Sequence, residues 1–386
     1  MGDIMDNKFN IRKANIIEIL NLLFKNPNIS RIDISKQINL NKASVSEIIA
    51  LLIEKELVIE IGPGTSGTSG GRKPILLKLN KKAGCSLGID LGIDYISFLL
   101  TDLNRNVLIY DYYEEIINKN NVIEIIIKVI NSIENILKKY KYGLVGTTLA
   151  VHGRVFNNNI KFTPYYDLEK IDLLNKLSTL MPNIKFYLEN ESNLAAVGEF
   201  ENSQSHLNNA VVINVHSGIG AGIIINGELY TGFEGRAGEI GHMVLIPNGK
   251  ECPCGNKGCF EQYCSIPALL NDFNNKSDIK IRTIKELCDL YNSNDVNAID
   301  VITKNIEFMS IGISNIFNLF SPDNIFVHSE ITHYIPNYLN LINNKINTTF
   351  SKSITILPNK LDNKSNLFGG VNNCIYKFFD IFADTI

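Results

Sequence analysis

The chain has 386 residues, 45% hydrophobic and 20% charged, which fits an ordinary globular protein of two or three domains and excludes a disordered or low-complexity polypeptide. It begins with the polar, acidic MGDIMDNKFN rather than a signal peptide, and no apolar run approaches the roughly 20 residues of a membrane helix, so a soluble, cytoplasmic protein without a membrane partner is expected. The net charge of −3 is uneven: residues 1–82 carry 13 Lys/Arg against 8 Asp/Glu, a head of +5 on a body of −8, and only the head suits a polyanion.

Residues 11–24 place Ile16, Leu20, Leu23 and Phe24 at helical spacing, and Pro27-Asn28 ends that helix. A second helix starts at Ser30, whose hydroxyl caps it while Asp33 completes a capping box, and runs to about Ile38. After the turn Asn39-Leu40-Asn41, a third helix covers roughly 42–56, with Val45, Ile48, Ile49, Leu52 and Ile53 on one face. Two short helices, a tight turn and a third helix match the helix-turn-helix pattern. Its third helix would offer Asn41, Lys42, Ser44 and Ser46 to base edges and phosphates of DNA, although a capped helix in any three-helix bundle reads the same way. Residues 57–61 and 75–79 then read as strands around the glycine-rich GPGTSGTSGGRKP. Strand, loop and strand after a third helix make a wing. Its cationic end, Arg72 and Lys73, suits a narrow minor groove; the competing reading is a flexible linker with incidental charge.

From Cys85 the pattern changes to strands alternating with helices. Strands are expected over 84–90, 96–102 and 143–151, a helix over 122–139, and a second set of strands at 210–214 and 222–225. This is an α/β body, expected to form two similar lobes around a ligand-binding cleft. The sharpest chemical signal is His242 followed by Cys252, Cys254 and Cys259, with Gly255 and Gly258 between them. In a chain without an export signal this spacing reads as a closed Cys₃His zinc site, one structural zinc per chain, rather than as disulfides.

The segment Glu234-Gly235-Arg236-Ala237-Gly238-Glu239-Ile240-Gly241-His242, followed by the Cys-x-Cys-Gly-x-x-Gly-Cys-x-Glu of 252–261, resembles the signature of the ROK family of repressors, open reading frames and sugar kinases. The TSGGRKP wing and the GIDLGIDYISFLLTDL stretch are most similar to its bacterial xylose repressors. The resemblance implies a winged helix-turn-helix domain over 1–81 and a two-lobed sugar-kinase-like domain of the actin/hexokinase-like superfamily over 82–386. Lobe 1 would take about 82–200 plus 368–386, and lobe 2 about 201–367, with Gly369-Gly370 opening a final helix. It further implies a sugar site at Asn190, Glu191, Glu239, His242 and Glu261. Carboxylates and amides suit sugar hydroxyls, and Glu239 and Glu261 could equally hold the zinc loop in place.

Against the family's kinases the chain departs three times. Their Asp-x-Gly-Gly-Thr phosphate loop is Asp90-Leu91-Gly92-Ile93-Asp94 here, which adds bulk and negative charge. The position of their general-base Asp is Glu191, and a late glycine-rich turn is replaced by His328-Ser329-Glu330. The turn near the sugar also differs, with His152-Gly153 for Pro-Gly and Pro164-Tyr165 for Pro-Asn. Gly218-Ile219-Gly220-Ala221-Gly222 survives, as a nucleotide turn or a tight strand connection. The resemblance thus implies no catalysis but a repressor, dimeric or a dimer of dimers, that binds operator DNA and is released when a monosaccharide, xylose first, bridges the lobes. Glucose or an N-acetylated hexosamine as effector, an active kinase with a DNA-binding head, and a zinc sensor are the alternatives.

Overall fold

A computed structural model describes residues 2–64, 73–164, 166–203, 207–346 and 354–386, with side chains from residue 10 onward. Chain contacts divide it into two compact units. The first holds residues 1–153, 157–189 and 370–386; the second holds 154–156 and 190–369.

The first unit begins with α1 (Gly2–Lys25), β1 (Ile29–Ser30), α2 (Arg31–Gln37), α3 (Lys42–Glu54), β2 (Val58–Pro63) and β3 (Ile75–Leu79). The apolar positions read from sequence form the core of this head: Ile16, Leu20, Leu23, Phe24, Val45, Ile48, Ile49 and Leu52 are buried, Ile53 is half-buried, and Ile34 of α2 joins them. Ser30 caps α2, accepting from the Asp33 N–H at 3.3 Å. The expected reciprocal bond is replaced, however. The Asp33 carboxylate takes the Ser30 hydroxyl at 2.6 Å, while the Ser30 backbone belongs to β1, a two-residue strand that sequence gave no reason to expect. With β1 the wing becomes a three-stranded sheet of order β1-β3-β2.

The rest of the unit is built on β4 (Cys85–Leu91), β5 (Tyr95–Asp102), β6 (Val107–Glu114), α4 (Val122–Leu137), β7 (Leu144–Val151), β8 (Arg154–Phe156, counted with the second unit), β9 (Asn159–Phe162), α5 (Leu173–Leu180) and β10 (Phe186–Asn190). Its sheet has the order β10-β7-β4-β5-β6, with β4 antiparallel to β5 and parallel to β7. A long helix, α13 (Ser365–Asp384), closes the chain, and its residues from Gly370 belong to this unit. Gly370 permits that helix to lie on the sheet, since a Cβ there would sit 3.3 Å from Thr148 and 3.4 Å from Gly88. The head is docked on the same helix: Phe24 meets Tyr376 and Phe379 edge-on at centroid distances of 5.3 and 6.1 Å, and Lys13 pairs with Asp384 at 2.5 Å.

The second unit starts at Asn190, earlier than the boundary near 200 expected from sequence, because α6 (Glu191–Asn202) packs on β12 of this unit: a side chain at Gly222 would collide with Ser192 and Ala196. Its remaining elements are β11 (Ala210–Val215), β12 (Ile219–Ile225), β13 (Glu228–Leu229), α7 (Glu261–Cys264), α8 (Ile266–Lys276), α9 (Ile284–Asn292), α10 (Val296–Phe320), β14 (Asn324–Ser329), α11 (Ile331–Tyr334), α12 (Tyr338–Lys345) and β15 (Ile356–Pro358). The sheet order is β13-β12-β11-β14-β15, with β11 antiparallel to β12 and parallel to β14. Matched strand by strand, this is the order of the first unit's sheet, so the same topology occurs twice, as the two-lobe expectation required. Strand periodicity explains why β11, apolar but for Asn214, is buried throughout. Val211, Ile213 and Val215 face the core with α8, α9, α10 and α12, while Ala210 and Val212 face α6. Gly369-Gly370 lies inside α13 rather than opening it. Gly369 is needed there because a side chain would collide with the Leu194 carbonyl of α6.

Candidate functional site

The metal cluster forms as the spacing predicts. His242 ends the short turn Ile240–His242, and the three cysteines sit on the loop that precedes α7. The loop is tied by Cys252 N–H to Asn256 O (2.9 Å) and Gly255 N–H to Cys252 O (2.9 Å), with Gly255 and Gly258 at φ +92° and +82°. A side chain at Gly258 would collide with the Ile246 carbonyl. One ligand atom from each of His242, Cys252, Cys254 and Cys259 lies within 4.8 Å of all the others. Cys254 Sγ is 3.7 Å from Cys259 Sγ, and Cys252 Sγ is 3.7 Å from His242 Nδ1. A tetrahedral ion with S and N ligands has edges of about 3.5–3.8 Å, so the donor set fits such an ion. The Asn256 backbone N–H pulls the Cys254 thiol below its usual range, whereas burial pushes Cys259 up to about 12, so that its thiolate depends on a neighbouring cation.

With Nδ1 turned to the sulfurs, the other nitrogen of His242 faces outward, 3.9 Å from Glu239 Oε2. Three carboxylate-bearing segments, that of Glu239 among them, converge around the start of β12. A Cβ on Gly218 would lie 2.6 Å from Glu261 Oε2, and one on Gly220 would lie 2.7 Å from Ser192 Oγ, which itself donates to Glu191 (2.8 Å). Gly238 and Gly241 could bear no side chain against the Ala221 and Ile219 carbonyls, which brings the Glu239 loop to the same strand. Loss of water raises the Glu239 carboxyl; Glu191 and Glu261 add to the rise, and His242 and Arg154 oppose it. Asn190 caps α6 through its side-chain oxygen (Asn193 N–H, 3.0 Å), and Glu261 Oε2 accepts from Ile219 N–H at 3.1 Å. All five residues of the expected sugar set thus belong to one unit.

Elsewhere the structure brings together groups that sequence reading kept apart. In the first unit Asp90, 3% exposed, accepts from the Tyr95 hydroxyl at 2.8 Å and lies 2.9 Å from His152 Nε2. The Tyr166 hydroxyl donates to Leu91 O (2.9 Å) and accepts from the His152 N–H (2.8 Å). A side chain at Gly92 would strike the Tyr95 ring. In the second unit, His216 Nε2 is 3.3 Å from His328 Nδ1, the rings meet edge-on, and Asn363 Oδ1 is 3.2 Å from His328 Nε2. Burial lowers the His328 pKa. Gly218 lies in the turn between β11 and β12, where the His216 N–H bonds Gly218 O at 2.9 Å, and Gly220 and Gly222 lie in β12.

On the head, Asn41 caps α3 by accepting from the Ser44 N–H at 2.9 Å, which leaves Lys42 and Ser46 exposed on its first turn and Ser44 half-buried. Lys73 is exposed; Arg72 lies outside the described residues, as does Tyr165. No helix among the described residues is long and apolar enough to cross a membrane.

Residues 86–372 match the model of the ROK family. The chain belongs to the ROK family. Residues 12–59 match a winged helix-turn-helix DNA-binding model, so this member carries the family's sugar-kinase-like fold behind a DNA-binding head. The chain is 36% identical to the xylose repressor of Bacillus spizizenii, over 98% of its own length and 99% of the relative's. It is 35% identical to that of Staphylococcus xylosus, over 98% of each. Among solved structures, a ROK family transcriptional regulator described as a homologue of the E. coli MLC protein superposes with a TM-score of 0.81, at 22% identity and with 97% and 98% of the two chains covered. A ROK family glucokinase from Streptomyces griseus, in complex with glucose and AMPPNP, gives a TM-score of 0.63 at 20% identity, with 75% of this chain and 99% of that chain covered.

Proposed function

We propose that this ROK protein is a cytoplasmic, dimeric transcriptional repressor that binds operator DNA through α3 and the wing, and that xylose releases it. The single observation that carries this reading is the joining, in one chain, of a helix-turn-helix head to a convergent set of three carboxylates, an amide and an imidazole. In the sugar site Asn190, Glu191, Glu239, His242 and Glu261 bond the hydroxyls, and Oε1 of Glu261 serves the ligand while Oε2 braces the strand. Zinc held by His242, Cys252, Cys254 and Cys259 supplies only rigidity, since four protein ligands complete its shell. His242 then serves both sites, one nitrogen to each, as ligating imidazoles commonly do with an outward partner.

The absence of phosphoryl transfer is part of the proposal. Two features support it: the Asp90 carboxylate is occupied by Tyr95 and His152, and His328, in the segment that stands for the kinases' late glycine-rich turn, is paired with His216 and Asn363. Xylose rather than glucose is supported by the relatives' names and by Glu191, whose extra methylene fills the space of an exocyclic carbon. Sugar acts by shifting a population: it favours a form of lower operator affinity by no more than its own preference for that form, about 1–3 kcal/mol. A mobility-shift titration with operator DNA tests this. Xylose should weaken binding 5- to 150-fold, and DNA should weaken xylose binding equally. Indifference of the shift to every aldose offered, or brisk ATP turnover in a coupled assay, refutes the reading.

A further inference from the structure

The sugar set is rich in acceptors and poor in donors. The carboxylates of Glu191, Glu239 and Glu261 can accept hydrogen bonds from sugar hydroxyls but donate none, and the donors among the set are the Asn190 amide and the outward nitrogen of His242. A monosaccharide also presents oxygen lone pairs, including a ring oxygen that only accepts. Residues of the second unit contain one further donor close by. Strand β8 lies against the turn Phe233–Gly235: Gly235 is at φ +70°, and a side chain there would collide with the Val155 carbonyl and press on Phe156 at 3.4 Å. That turn runs directly into Glu239 and His242. Arg154, next to Val155, is half-buried, and its Nε is buried without an acceptor among the described residues. A guanidinium N–H is an obligatory donor, and stripping it of water without a partner is unfavourable. An orphaned donor beside an acceptor-rich ligand site is accounted for by a ligand that brings the acceptor.

We propose that Arg154 is a specificity-determining residue of the sugar site, its guanidinium donating to an acceptor oxygen of the bound monosaccharide that the carboxylates cannot serve. In sequence the residue directly follows His152-Gly153, which stand where the family's kinases have Pro-Gly. The assignment rests on the monosaccharide reading above. It predicts selection by position: one ligand oxygen, and not the others, is read by Arg154.

Calorimetry on the full-length protein tests it, with xylose, glucose and a series of monodeoxy xyloses titrated into wild type, Arg154→Met and Arg154→Lys. Arg154→Met should weaken xylose binding about 10- to 100-fold, as expected for loss of a charge-assisted bond, with metal content and sugar-free operator affinity unchanged. One deoxy sugar should bind wild type weakly yet lose nothing further in Arg154→Met, because the same bond is missing twice. Arg154→Lys keeps the charge but not the fork, and should recover only part of the affinity. Xylose binding within twofold of wild type in Arg154→Met, with the same ranking of deoxy sugars, overturns the assignment. If Arg154→Met loses its metal or its operator affinity, Arg154→Lys decides, and wild-type affinity and ranking in that variant overturn the assignment. A wild type that binds no monosaccharide overturns the parent reading, and this one with it.

Discussion

Replacing Phe24 by alanine removes the ring that joins the DNA-binding head to α13. The ring is 4% exposed, meets Tyr376 and Phe379 edge-on, and lies 4.7 Å beneath the Arg105 guanidinium. Truncating a buried Phe costs about 3–5 kcal/mol through lost transfer energy and the cavity left behind. The two aromatic contacts and the cation–π contact account for part of this, about 0.5–1.5 and 0.5–1 kcal/mol respectively. Phe379→Ala, at a fully buried ring of α13, should cost a similar amount. Because the two rings share one contact, the double variant should be less destabilised than the sum of the singles, by about 0.5–1.5 kcal/mol. Urea denaturation followed by circular dichroism, with operator binding as a second probe, measures each corner of the cycle. Additivity within about 0.3 kcal/mol would show that head and helix do not pack as one body, and the docking argument would fail.

Four other outcomes are expected. Gly369→Ala forces a methyl group into the Leu194 carbonyl and should lower stability by about 1–3 kcal/mol, seen as a lower urea midpoint at unchanged slope. Cys259→Ser, or a strong chelator, should release one metal equivalent and loosen the 242–264 loop, read as faster amide exchange there; unchanged exchange would deny the cluster a structural role. His328 has a pKa lowered by burial, so the unfolded chain takes up its proton first as pH falls below about 6.5. Its contribution to stability is therefore complete above that pH and is lost on acidification, with a slope of at most about 1.4 kcal/mol per pH unit that His328→Gln should remove. Lys42→Ala should weaken operator and nonspecific DNA alike and reduce the salt slope by about one; a change confined to one sequence would point to base reading instead.

Much of this was legible in the chain itself. The helical repeat of Ile16, Leu20 and Leu23, the cap at Ser30 and the strands flanking a glycine-rich loop specify the head by local rules, and local rules are what sequence displays. The metal cluster was equally plain, because three of its ligands lie on one short loop. What escaped depends on partners distant in the chain. Strand β1 has two residues and exists only through Leu76 and Leu77 of β3, which also leads the Asp33 carboxylate to the Ser30 hydroxyl instead of its backbone. The His216–His328 and Asp90–His152 pairs have no spacing signature. Nothing in the glycine spacing of Gly218–Gly222 showed that Gly222 would lie in β12 against α6. Arg154 gave no signal at all, being an ordinary arginine whose orphaned Nε is a fact of packing.

Helix α13 has a consequence for how the protein comes into being. Its first turn is anchored in the second unit, where the buried Glu199 carboxylate receives the Lys360 and Leu361 amides and the Ser365 hydroxyl, and its later turns carry Tyr376, Phe379 and Asp384 to the head. The ribosome makes the head well before the helix that seats it. While the residues between them are being added the young head must therefore exist unseated, its Phe24 ring lacking the aromatic neighbours it later acquires, and a nascent chain that stalls before residue 370 would carry a DNA-binding module on a free tether.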